Sequence, residues 1–155
     1  MSTKTVAICT AVLFALNLIA IQATDIFTIK MRPGRGISGN GNPGLLLWFW
    51  EIPLYLLLLA GIVYLVVKTK FFARRGFFYP FFFLILLLAS GYLQNGHAHR
   101  ILLSIDGKID EFGAINQYTN TIYINYYSFL IGIFTLLMIL SCAQILMARS
   151  LRRRR

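Results

Sequence analysis

Residues 48–67 read WFWEIPLYLLLLAGIVYLVV, an apolar run interrupted by a single charge, Glu51. A helix crosses the hydrocarbon core of a bilayer with about 20 apolar residues. A run that is apolar on every side offers no solvent face to a soluble fold. This stretch therefore reads as a transmembrane helix. Glu51 needs a partner within it, because an unpaired carboxylate in hydrocarbon costs roughly 3 kcal/mol or more.

The rest of the chain extends that reading. Of 155 residues, 58% are hydrophobic and 13% charged, and the mean hydropathy is +0.71; soluble domains are about a quarter charged. Four apolar segments, at about 5–29, 44–67, 77–95 and 121–147, take up most of the length. The expected fold is all-α: one integral membrane domain, a bundle of four transmembrane helices, with a long outer loop between the third and the fourth. The first run exceeds the roughly 7–15 residues of a signal-peptide core, so it is expected to remain as a span. Within it Thr10, Asn17 and Thr24 recur every seven residues, and Asp25 and Thr28 continue the same side. Such a stripe faces protein rather than lipid.

Between the spans, KMRPGRGISGNGNP over 30–43 has loop composition, with Asn42 placed to cap the second helix and Pro43 to open it. Pro53 removes one backbone hydrogen bond inside that helix. The third span opens on GFFYPFFF, a packed aromatic cluster of the kind that settles at headgroup depth. In the long connection, Ile101 to Ile105 reads as a short strand or an interfacial helix and Asp106-Gly107 as a turn. Tyr123, Tyr126 and Tyr127 make an aromatic belt at the entry to the fourth span, where Ser128 and Gly132 suit close helix contact.

Charge sets the orientation. Lys4, Lys68, Lys70, Arg74, Arg75, Arg149, Arg152, Arg153, Arg154 and Arg155 flank one side of the alternating connections. Lys30, Arg32, Arg35, Arg100 and Lys108 flank the other. By the positive-inside rule both termini are expected in the cytoplasm. The net charge of +10 is then directed at anionic lipid headgroups rather than nucleic acid, at about 1 kcal/mol per basic residue near the surface.

The same topology brings Asp25, Glu51, Gln94, Asn95, His97, His99 and Arg100 toward the outer ends of the spans as a candidate polar cluster. Glu51 paired with Arg100 or a histidine would be structural. His97 and His99, at i and i+2, share a side only on extended backbone, where with Asp25 or Glu51 they would form a copper or zinc site. That alternative makes the protein a membrane enzyme or metal binder using an outward-facing Asp/Glu/His pocket. The chain carries no nucleophile elbow, zinc-protease pair, phosphate loop or nucleotide fingerprint. The leading expectation is a non-catalytic accessory subunit of a larger membrane protein complex.

Over residues 12–95, the series Asn17, Asp25, Thr28, a glycine-rich connection, Asn42-Pro43 and Pro53, with Tyr92 and Asn95, resembles the DUF5658 family of small prokaryotic membrane proteins. The resemblance implies a compact helical fold in a prokaryotic cell membrane and no established reaction. It also implies a structural unit of Asp25, Thr28, Asn42 and Pro43, in which Asp25 caps the free amides of the second helix. The chain departs from that pattern in the glycine-asparagine run before Asn42 and in the long loop and fourth span.

Overall fold

A computed structural model describes residues 2–30, 41–73, 76–105 and 113–153, without the side chains of 152 and 153. The basic residues expected at 32, 35, 74, 75, 108 and 152–155, and the Asp106-Gly107 turn, lie outside these described residues or side chains.

The helices are α1 (Thr3–Phe27), α2 (Gly44–Thr69), α3 (Phe78–Ser104), α4 (Asn120–Tyr123) and α5 (Tyr126–Arg153). Among the described residues there is no strand. Four stretches are long and apolar enough to cross a membrane: α1, α2, α3 and the run Asn120–Leu151 that contains α4 and most of α5. The chain is an all-helical integral membrane protein.

Local chemistry sets the helix starts. Ser2 Oγ accepts the amide of Thr5 at 3.1 Å and opens α1. Asn42 Oδ1 accepts the amide of Gly44 at 3.1 Å, and Pro43 between them already has helical dihedrals (φ −65°, ψ −24°) directly before the first residue of α2. α2 then runs unbroken through Pro53 and ends at Lys70, whose φ of 51° closes the last turn in the left-handed region. At α5 the cap is reciprocal: Asn125 Oδ1 accepts from the amides of Tyr127 (2.8 Å) and Ser128 (3.0 Å), while Ser128 Oγ accepts from the amide of Asn125 (3.1 Å). This is a capping box with serine in the role usually taken by Glu or Gln.

One boundary differs from expectation by more than two turns. α3 does not stop near residue 95 but continues to Ser104, so Ile101 to Ser104 is its last turn and not a strand. Polar side chains at 94–100 suggested a loop; wherever water is excluded, however, irregular backbone leaves amides and carbonyls to find other partners. Continuing the helix pairs them internally, and Gly96 weakens it by only about 1 kcal/mol.

α1 packs along α2 and α3 along α5, and α2 meets α5 between the two pairs. α5 is central, because Phe129 also reaches Phe14 of α1, with ring centroids 5.5 Å apart. The core is Ile21, Leu58, Phe129 and Ile133. Here Tyr55 donates its hydroxyl to the Phe129 carbonyl at 2.9 Å. Gly132 lies directly against that hydroxyl, leaving no room for a Cβ.

Candidate functional site

Thr10, Asn17, Thr24 and Thr28 of the polar stripe are buried, as expected, whereas Asp25 of the same stripe is not. Thr10 donates to the Val6 carbonyl (2.8 Å), Asn17 Nδ2 to the Leu13 carbonyl (2.8 Å) and Thr28 to the Thr24 carbonyl (2.6 Å). Thr24 differs: its hydroxyl crosses to α2 and donates to Glu51 Oε2 at 3.0 Å. Glu51 is only 5% exposed. Its partner is thus a hydroxyl on α1, where Arg100 or a histidine was expected.

The seven residues of the expected cluster divide among separate places. Asp25 pairs with Lys30 at 3.4 Å on a half-exposed surface and does not cap α2. Gln94 Nε2 donates to the Ile122 carbonyl at 2.6 Å, and His97 Nε2 lies 3.0 Å from the Thr121 carbonyl. Both therefore tie α3 to α4. Asn95, His99 and Arg100 are exposed, with Arg100 Nε donating to the Gly96 carbonyl at 3.3 Å. His97 and His99 stand on regular helix, where residues two apart diverge by about 200°. Among the described residues, no group of three or more His, Cys, Asp or Glu side chains is arranged to hold a metal ion.

What joins this end of the bundle is a segment that composition did not single out. Asn116 to Thr121 is buried throughout. The Gln117 carbonyl accepts from the amide of Ile29 at 3.0 Å, which holds the end of α1. Asn120 and Asn42 exchange two amide hydrogen bonds, 2.7 and 2.9 Å, which hold the start of α2. The nearest sequence signal was the density of Asn and Thr in NQYTNT, which reads equally well as a solvated turn.

Beneath this knot lies a cavity of about 300 Å³ between α1, α2 and the start of α5. Asn17 and Ile21 line it from α1, Trp48, Glu51 and Tyr55 from α2, and Tyr123, Asn125 and Phe129 from the other side. It is a mostly apolar pocket, open past the exposed Ile52 and Leu56, with a buried carboxylate in its wall. Asn17 and Trp48 were not among the expected site residues. For Asn17 the usable signal was its place in the polar stripe; for Trp48 there was none beyond its proximity to Glu51.

No protein-family model, curated protein or solved structure matches the chain.

Proposed function

We propose that the protein is a non-catalytic accessory subunit that docks onto a larger membrane partner through α3, with both termini in the cytoplasm and its basic end against anionic headgroups. The observation that carries this reading is a seam on α3 pointing away from its own bundle. Phe81, Ile85, Leu88, Tyr92, Asn95, Gly96, His99 and Leu103 follow one another at helical steps and are all exposed, Tyr92 at 81%. Lipid tails are adequate cover for Phe81, Ile85 and Leu88. Asn95, Gly96 and His99 add polar and small groups to the same line, and these suit a partner helix, which packs closely on small residues and answers hydrogen bonds. A Cβ at Gly96 would have nothing within 4 Å, so its backbone is open to close approach. We further propose a prokaryotic cell membrane as the setting, on the resemblance of residues 12–95 to DUF5658-type proteins alone.

Gentle detergent extraction from the native membrane followed by native mass measurement tests the docking. A complex of fixed stoichiometry is expected, with Gly96→Phe released as a monomer of unchanged melting temperature. A homogeneous wild-type monomer with no co-purifying protein would overturn the reading. For orientation, in a Cys9→Ala, Cys142→Ala background, Ser2→Cys should be shielded from a membrane-impermeant maleimide in intact cells and Ala114→Cys labelled.

A further inference from the structure

Three buried polar groups meet the cavity beneath the asparagine-rich end without being satisfied by it. The Glu51 carboxylate accepts one described hydrogen bond, from Thr24. Among the described residues the single ion pair is Lys30 with Asp25, and no described cation pairs with Glu51. Asn17 is 1% exposed; its Nδ2 is fixed on the Leu13 carbonyl, and its buried Oδ1 has no partner among the described residues. Trp48 Nε1 is buried and has no acceptor among the described residues.

These groups specify their complement. Glu51 and Asn17 Oδ1 are acceptors, so they call for donors. A buried acceptor left empty forfeits the hydrogen bonds that water would have given it. The carboxylate favours positive charge on that donor, and Tyr55, Tyr123 and Phe129 among the lining residues are side chains of the kind that attract a cation. A bare alkali ion would leave most of about 300 Å³ unfilled, and an anion would meet Glu51 with like charge. We propose that this cavity binds an organic primary ammonium with an apolar body, its head donating to Glu51 and Asn17 Oδ1 and its body lying along Tyr55 and Phe129. A simple amine leaves Trp48 Nε1 unanswered, and an oxygen on a larger ligand would accept from it. The same ammonium chemistry is carried by a free amine and by the ethanolamine headgroup of a lipid. This goes beyond the accessory-subunit reading and does not depend on it.

The test uses the full chain in phosphatidylcholine nanodiscs with tritiated 2-phenylethylamine. Saturable binding at one site per chain is expected, with the neutral analogue 2-phenylethanol at least about tenfold weaker as a competitor. Glu51→Gln should weaken binding by about tenfold or more, the usual scale for removing a charge-assisted hydrogen bond. Ile52→Trp provides a second variant, since Ile52 is an exposed wall residue whose side chain makes no hydrogen bond. The added ring is expected to abolish binding by occupying the mouth, with the circular-dichroism melt unchanged. Loss of amine binding on adding phosphatidylethanolamine assigns the site to the lipid head, and retention assigns it to free amines; either supports the proposal. Absence of saturable binding overturns it, as does equal affinity for 2-phenylethanol or unaltered binding in folded Ile52→Trp. The Gly96→Phe experiment fails or succeeds separately.

Discussion

Asn120 and Phe72 stand at opposite ends of the bundle, 0% and 2% exposed, and are held by opposite means. Asn120 exchanges paired amide bonds with Asn42 across 78 residues of sequence. Phe72 sits in a cluster of rings, with centroids 5.2 Å from Tyr79 and 5.8 Å from Phe83. One bridge completes that end: Gln144 accepts from the amide of Phe72 at 2.9 Å and donates to the Val66 carbonyl at 2.6 Å. Arg149 lies over the Phe77 ring at 4.4 Å. Amide bonds are directional and fix register, whereas ring contacts have broad minima and fix proximity. The asparagine-rich end should therefore reject conservative changes that the aromatic end accepts.

The largest effect expected is at Phe72. Phe72→Ala should cost about 3 kcal/mol, chiefly through the cavity left behind, while Phe72→Met should cost less than about 1.5 kcal/mol because volume is nearly kept. At the other end Asn120→Leu, also similar in size, should cost about 2 kcal/mol, because it orphans the Asn42 amide and introduces no replacement. Unfolding in mixed micelles gives all three values. If Asn120→Leu is milder than Phe72→Met, directional bonding does not distinguish the ends.

That contrast also explains what was legible beforehand. Burial in a membrane is written in long apolar runs, so residues 48–67 announced a span, and in α1 the spacing of Thr10, Asn17 and Thr24 announced an inward face. The aromatic end was legible as GFFYPFFF for the same reason: neighbours in sequence are neighbours in the cluster. The asparagine-rich knot was not, since Asn42 and Asn120 are joined by a long-range pairing that has no period. Glu51 was recognisable as needing a partner, but a hydroxyl on another helix carries no charge by which sequence could name it. Polarity misled at 94–100, where the polar side chains stand on a continuing helix.

A smaller effect probes the knot from its backbone. A Cβ at Gly44 would run into the Asn120 carboxamide, which cannot swing away without losing Asn42. Gly44→Ala is therefore expected to destabilise by about 1.5 kcal/mol, as overpacking does. Gly91, on α3, has open space where a Cβ would stand. There the same substitution should stabilise by up to about 1 kcal/mol through helix propensity. Opposite signs from one chemical change, read by thermal melting, would locate the tight fit; equal signs would remove it.

The smallest effect lies between the two ends, at the bond from Thr24 to Glu51. Thr24→Val keeps shape and removes the donor, and Glu51→Leu removes the acceptor and the burden of burying a carboxylate. Single variants would mix these contributions, because Thr24→Val leaves a carboxylate without its one described donor, while Glu51→Leu leaves only a hydroxyl that can turn to its own backbone. A double-mutant cycle separates them. Interhelical hydrogen bonds in membranes are expected to couple by roughly 0.6 kcal/mol and seldom above about 1.7, so a value near 1 kcal/mol is anticipated here, below the cost of Asn120→Leu. Because the cavity offers Glu51 a ligand as well as Thr24, repeating the cycle with saturating 2-phenylethylamine should reduce the coupling. An ammonium on the carboxylate takes over part of what the hydroxyl does alone, and an unchanged coupling would mean that Glu51 is committed to α1 and not to a ligand.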